Sequence, residues 1–177
     1  MLQETNGLEE CLNILNQDSC DRLIDMFNND IRKTPGLTGF GVSSEYKVST
    51  ELPCVLSDNQ WEKYNKLIIP GIQSLTKHMK EKYSFIEWGL GSWEICNLYN
   101  IQHYKDGEGY FGIHCEHSIA RPYRMMAWMI YLNDAECGTE FPYQNTVVKA
   151  DQGKGVIWSA GWTHPHKGVT PNIGDKY

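Results

Sequence analysis

Apolar residues recur at helical spacing in the first part of the chain. Leu23, Ile24, Met26 and Phe27 follow an N-cap signal at Asp18-Ser19, which predicts a helix running to about Ile31. Pro35-Gly36 and the glycines at 39 and 41 then break the pattern into a loop or extended segment. A longer helix is predicted from Ser57-Asp58, with Trp61, Tyr64, Leu67, Ile68, Ile72, Leu75 and Met79 on one face. Pro70 falls inside it, so either the helix kinks there or two helices meet. From Trp88 onward the period changes. Residues 93–102 read as a strand rich in aromatic and branched side chains, and residues 125–132 as a strand buried on both faces. Short strands are expected at 146–149 and 155–159, with polar or glycine turns between them, and loops able to act as lids at 33–46 and 134–144. Short strands separated by turns predict a sandwich or barrel rather than an alternating α/β fold. No repeat, low-complexity tract or linker divides the chain. One domain over residues 1–177 is expected, helical to about residue 87 and β from about 88.

Composition narrows this only a little. A chain of 177 residues, 41% hydrophobic and 21% charged, can build one sizeable core and is far from a disordered composition. No apolar run approaches the roughly 20 residues that span a bilayer, and residues 1–6 lack the pattern of a secretory leader. A soluble protein of the cytoplasm is the expectation. The net charge of −6 argues against a nucleic-acid partner, and the lysines between residues 63 and 82 read as the solvated face of the second helix. Cys11, Cys20, Cys54, Cys96, Cys115 and Cys137 form no CxxC pair and read as reduced, mostly packed thiols.

The chemistry concentrates at Tyr110-Phe111-Gly112-Ile113-His114-Cys115-Glu116-His117. If that segment is extended, His114 and Glu116 share a face, while Cys115 and His117 point away. One distant histidine would complete a facial set of two imidazoles and a carboxylate, which suits iron(II) and leaves coordination positions open. His164 and His166 are the candidates. A hairpin near Pro171-Asn172 would set Lys176 opposite His166, which favours His166 and brings an ammonium group within reach of the metal. Arg124, at the start of a strand, is a candidate for pairing with a carboxylate near the site. Trp88, Trp93, Trp128, Trp158 and Trp162 are core candidates, of which Trp158 and Trp162 could also line a substrate pocket.

Several pieces in order now resemble a known family. They are Tyr104 and the glycine-bearing stretch to Phe111, His114-Cys115-Glu116, and Arg124 with the apolar run to Tyr131-Leu132-Asn133-Asp134. Gly138-Thr139-Glu140-Phe141 follows, and then His166 with Gly168, Gly174 and Lys176. The chain resembles the 2-oxoglutarate- and Fe(II)-dependent oxygenases of the prolyl 4-hydroxylase type, especially compact bacterial and phage forms. The resemblance implies a double-stranded β-helix, or jelly roll. It implies iron ligands His114, Glu116 and His166, with 2-oxoglutarate held through its distal carboxylate by Lys176 and Tyr104. It further implies O2 as co-substrate, ascorbate as a possible reductant, and hydroxylation of a prolyl residue in a peptide or protein. The family's usual motif has Asp where this chain has Glu116, so the longer carboxylate must fold back or bind differently. Family members also continue the last strand past the position of Tyr177, which would leave Lys176 in a fraying end.

Other readings stay open at this point. The same chemistry could act on a small molecule or a nucleic acid, because a fold does not fix its substrate. A non-catalytic jelly-roll module could hold a metal for structure alone, although it would have no use for a dicarboxylate anchor such as Lys176. A zinc hydrolase would need a general base beside the metal, and no HExxH-like segment supplies one.

Overall fold

The computed structural model describes residues 6–39 and 41–177. Residues 1–5, on which the expectation about a secretory leader rests, and Phe40 within the predicted loop lie outside the described residues. The elements run β1 (Leu8–Cys11), α1 (Gln17–Asn29), β2 (Thr34–Pro35), β3 (Lys47–Val48), β4 (Thr50–Val55), α2 (Glu62–Lys82), α3 (Phe85–Gly89), β5 (Leu98–His103), β6 (Gly109–Tyr110), β7 (Met126–Ile130), β8 (Ala135–Phe141), β9 (Thr146–Ala150), β10 (Gly155–Ser159) and β11 (Lys167–Val169).

Both helices arise where apolar spacing places them. Asn16, rather than Asp18, caps α1, its side chain accepting from the Ser19 amide at 2.8 Å, and the helix buries Cys20, Leu23 and Phe27. Asp58 caps a short turn that leads into α2. The buried face of α2 carries Tyr64, Ile68, Ile72, Leu75 and Met79, while Pro70 is exposed and the helix runs through it. The lysines are indeed on its outer side, where Lys66 meets Glu62 and Lys77 meets Glu81.

The strands form antiparallel sheets ordered β1-β10-β7, β11-β8-β9 and β2-β4-β5, with β3 paired to β6. Side chains alternate along β10 and so connect three layers. Val156 and Trp158 share a buried cluster with Ala135, Cys137, Phe141, Val148 and Ala150 of β8 and β9, so the first two sheets face each other. Ile157 points the other way, onto Leu75 and Met79 of α2. This is the expected jelly roll, mainly β with helices early in the chain and with open sheets. No helix among the described residues is long and apolar enough to cross a membrane.

Five local expectations are corrected. The stretch to residue 87 is not only helical, because β1 and β4 fall within it and pair with β10 and β5. Charge disguises both strands. Glu9 on β1 is buried among Lys82, Tyr83 and His78, and Glu51 on β4 is buried against Lys47. Residues 134–144 are mostly strand β8 rather than a loop, held between β11 and β9. The strand read from residue 93 begins at Leu98, and β7 is half-buried along its length rather than buried on both faces. Finally, Trp88 and Trp162 are 74% and 79% exposed and do not belong to the core.

Gly138 sets the closeness of β8 to β9. A Cβ there would lie 1.9 Å from the Val148 carbonyl oxygen. Gly138→Ala is therefore expected to part the two strands and to cost about 1–3 kcal/mol in urea denaturation.

Candidate metal centre

The centre begins with two backbone hydrogen bonds. The His114 amide donates to the His166 carbonyl at 3.0 Å, and the His166 amide returns the bond at 2.9 Å. This isolated bridge brings together two segments 52 positions apart (166 less 114) and leaves both imidazoles side by side, with ring centroids 4.4 Å apart. Glu116, two residues on, reaches the same point. Its Oε1 lies 3.6 Å from Nε2 of His114 and 3.6 Å from Nε2 of His166. One ligand atom from each residue falls within 4.8 Å of the others. Donors sharing an ion at about 2.0–2.2 Å stand roughly 3–3.5 Å apart, so small side-chain movements would close the group around a metal.

Proton placement favours the same use. The Nδ1 of His114 donates to the Gly112 carbonyl at 3.0 Å, and the Nδ1 of His166 donates to the His164 carbonyl at 3.0 Å. With Nδ1 engaged by a carbonyl in both rings, Nε2 is the nitrogen turned toward Glu116 and the one placed to bind a metal. Burial pushes the Glu116 carboxyl up, but hydrogen bonds and charge from His114 and His166 outweigh it and hold the group well below the usual carboxylate range. Tyr110 stacks on His114 with centroids 3.7 Å apart, and His166 sits against Phe141 and Trp158. Tyr110 was legible in principle, since an even spacing of four from His114 shares its face in an extended chain. Phe141 had no local signal. His164 does not join the group; its Nε2 meets the Asn6 carbonyl at 2.7 Å.

Lys176 is not placed by the expected hairpin. Its backbone pairs with Tyr104 in both directions, at 2.8 and 2.9 Å, and not with His166. Nor is it in a fraying end. The Tyr177 amide donates to Asn133 Oδ1 and its carbonyl accepts from Leu132, while its ring stacks on His103, which in turn pairs with Asp175. The Lys176 side chain is 5% exposed. Its Nζ lies near the carbonyls of Gly138 and Val169, and 4.7 Å from the centre of the Tyr104 ring. No carboxylate among the described residues pairs with it, and burial pushes its pKa down. Tyr104 is itself buried, and its hydroxyl donates to Gln102 at 2.9 Å.

No family model and no curated protein sequence matches the chain. Solved structures do match in three dimensions. A viral collagen prolyl hydroxylase from Paramecium bursaria Chlorella virus 1, solved with 2-oxoglutarate, is 18% identical over 99% of this chain and 94% of its own, with a TM-score of 0.70. A prolyl 4-hydroxylase from Pseudomonas putida is 15% identical over 97% and 89%, also at 0.70. A prolyl hydroxylase from Trichoplax adhaerens, solved with a peptide fragment of hypoxia inducible factor, is 18% identical over 98% and 81%, again at 0.70. The chain has the prolyl hydroxylase fold.

Within the prolyl hydroxylase fold, the remaining candidates separate by exposure. Arg124 is directed at Glu116 Oε2, with Nη1 at 2.8 Å. Trp158 is 3% exposed, and its indole N–H has no hydrogen-bond partner among the described residues. Trp162 stands in solvent. Cys115 points its sulfur at the His117 carbonyl, away from the ligand atoms. Two buried donors, the Lys176 ammonium and the Trp158 indole, thus sit in the jelly-roll interior without an anionic or acceptor side chain among the described residues. Such groups are costly without a ligand and suit an oxygen-rich dicarboxylate.

That cost has a measurable sign. Lys176 binds its proton less tightly in the folded chain than in the unfolded one, so between the two pKa values the unfolded state holds more protons and stability rises with pH. Lys176→Met should unfold at the same or a higher denaturant concentration than the native sequence at pH 7 without ligand. The native chain should then gain on the variant as the pH is raised toward the ordinary lysine value of about 10.4.

Proposed function

We propose that the chain is a dioxygenase dependent on Fe(II) and 2-oxoglutarate that hydroxylates a prolyl residue of a peptide or protein. The observation that carries this reading is the convergence of His114, Glu116 and His166, in a fold whose interior also holds an ammonium group, that of Lys176, with no anionic partner among the described residues. The two prolyl hydroxylases solved with 2-oxoglutarate and with a peptide support the co-substrate and the substrate class.

Each residue has a physical task. His114 and His166 would hold iron through Nε2, because Nδ1 is engaged by a backbone carbonyl in both. Glu116 would supply the third ligand and a negative charge beside the ion. Three coordination positions then stay open, enough for a chelating co-substrate and O2. Lys176 would pair with the distal carboxylate of 2-oxoglutarate, with the Tyr104 ring forming the wall beneath its Nζ. Iron with 2-oxoglutarate supplies the oxidation that couples O2 to hydroxylation of a C–H bond, with ascorbate as a reductant for the metal. Phe141 and Trp158 pack around His166 and keep that side of the centre dry. Arg124 and Trp162, both reachable from solvent, are the proposed contacts for the peptide.

Anaerobic titration with Fe(II) and 2-oxoglutarate tests the reading through the visible metal-to-ligand charge-transfer band. The band should require both components and disappear in His166→Ala. In Lys176→Met, half-saturation should need at least tenfold more 2-oxoglutarate, while Fe(II) alone binds as before. Metal binding that is indifferent to 2-oxoglutarate would instead assign a structural metal and remove the case for an oxygenase.

A further inference from the structure

The two oxygens of Glu116 have different surroundings. Oε1 faces both imidazoles, at 3.6 Å from each Nε2. Oε2 accepts from Arg124 Nη1 at 2.8 Å. Arg124 is itself anchored, because its carbonyl lies 3.4 Å from Nδ1 of His117 and the next carbonyl, of Met125, accepts from the Ala160 amide at 2.9 Å. The guanidinium therefore approaches from the turn that joins the ligand segment to β7. The pair is partly open to water, the side chains being 32% and 24% exposed. An ion pair so placed contributes little to stability, so its consequence lies in orientation.

Orientation is the difficulty that a glutamate brings to this position. Its carboxylate hangs on one more rotatable bond than an aspartate's would, and a free carboxylate can chelate an ion through both oxygens. Either effect would blur the site: the first by loosening the third ligand, the second by filling a position that a chelating co-substrate and O2 need. A guanidinium on Oε2 answers both, since it fixes the terminal torsion and occupies the second oxygen.

On the reading that His114, Glu116 and His166 hold the metal, we infer that Arg124 is a positioning residue for Glu116, locking it as a ligand through Oε1 alone. Arg124 acts through the carboxylate and touches neither metal nor co-substrate in this role. The inference gives an unusual sign. Arg124 is a cation near a dication, so by charge alone its removal would tighten metal binding. Loss of positioning has the opposite effect.

The test is Mn(II) binding, read from the electron paramagnetic resonance signal of the free ion, with the full chain and no co-substrate. Arg124→Met is expected to raise the Mn(II) dissociation constant 10- to 100-fold, the usual range for loss of a residue that orients a metal ligand. Arg124→Lys should recover part of that loss. On a Glu116→Asp background the shorter carboxylate cannot reach both the ion and Arg124, so adding Arg124→Met should change the constant less than about twofold. Tighter or unchanged binding in Arg124→Met overturns the inference. So does an equal loss on both backgrounds, which would mark a general effect on the fold. If the native chain binds no Mn(II), or His166→Ala binds it as well as the native chain, the metal reading fails and this inference with it. If only Arg124→Met is silent, the metal reading stands and the positioning role alone is withdrawn.

Discussion

The centre depends on one short backbone contact, the pair of hydrogen bonds between His114 and His166. Neither residue lies in a regular strand, and the bridge stands alone. It nevertheless fixes two backbones at antiparallel spacing, so both imidazoles project to one side and Glu116 follows at the next residue of the same face. The large sheets hold that bridge in place. β10 and β11 flank the chain that carries His166, and β6 with β7 flank the chain that carries His114 and Glu116. The scaffold is needed because two hydrogen bonds alone could not overcome the entropy of ordering so many residues between them.

Much of this was legible before the structure, for reasons that can be named. The helices announced themselves because α1 and α2 bury one face each, and that burial writes a period of 3.6 into the chain. The pair His114 and Glu116 could be read because an extended segment imposes a period of two. What could not be read is whatever depends on distant partners. β1 carries Glu9 and Glu10 and resembles a surface turn until Lys82 and Tyr83, more than 70 positions away, neutralise Glu9. β4 carries Glu51 and Pro53, and only the Lys47 pair and the register with β5 make it a strand. The 134–144 segment looks like a loop because Gly138 and its charged neighbours are polar in isolation, yet Gly138 is required by the close approach of Val148.

Lys176 shows the difference between reading a residue and reading its route. Its presence and its distance from His166 along the chain were informative, but the hairpin that seemed to connect them does not exist. The terminal residues instead dock beside Tyr104 and Leu132, held by Asn133, His103 and Phe27. None of these contacts has a signature in local periodicity. The ammonium group ends in the interior by this other route, near the carbonyls of Gly138 and Val169.

Most charges in the interior are paired within the protein, as Glu51 is with Lys47 and Glu9 with Lys82, but Lys176 is not paired among the described residues. Glu116 already has a counter-charge in Arg124 and two imidazoles beside it. Lys176 has none among the described residues, and the carbonyls around it compensate an ammonium poorly in a low-dielectric interior. A hydrophobic residue of the same volume would serve the fold better, so stability does not explain a lysine there. On the proposed reading the imbalance is removed by a dianion, one end of which meets Lys176 while the other meets the metal held at Glu116. On that reading the fold would carry two separate positive poles, the metal and Lys176, and a molecule with carboxylates at its two ends would complete both.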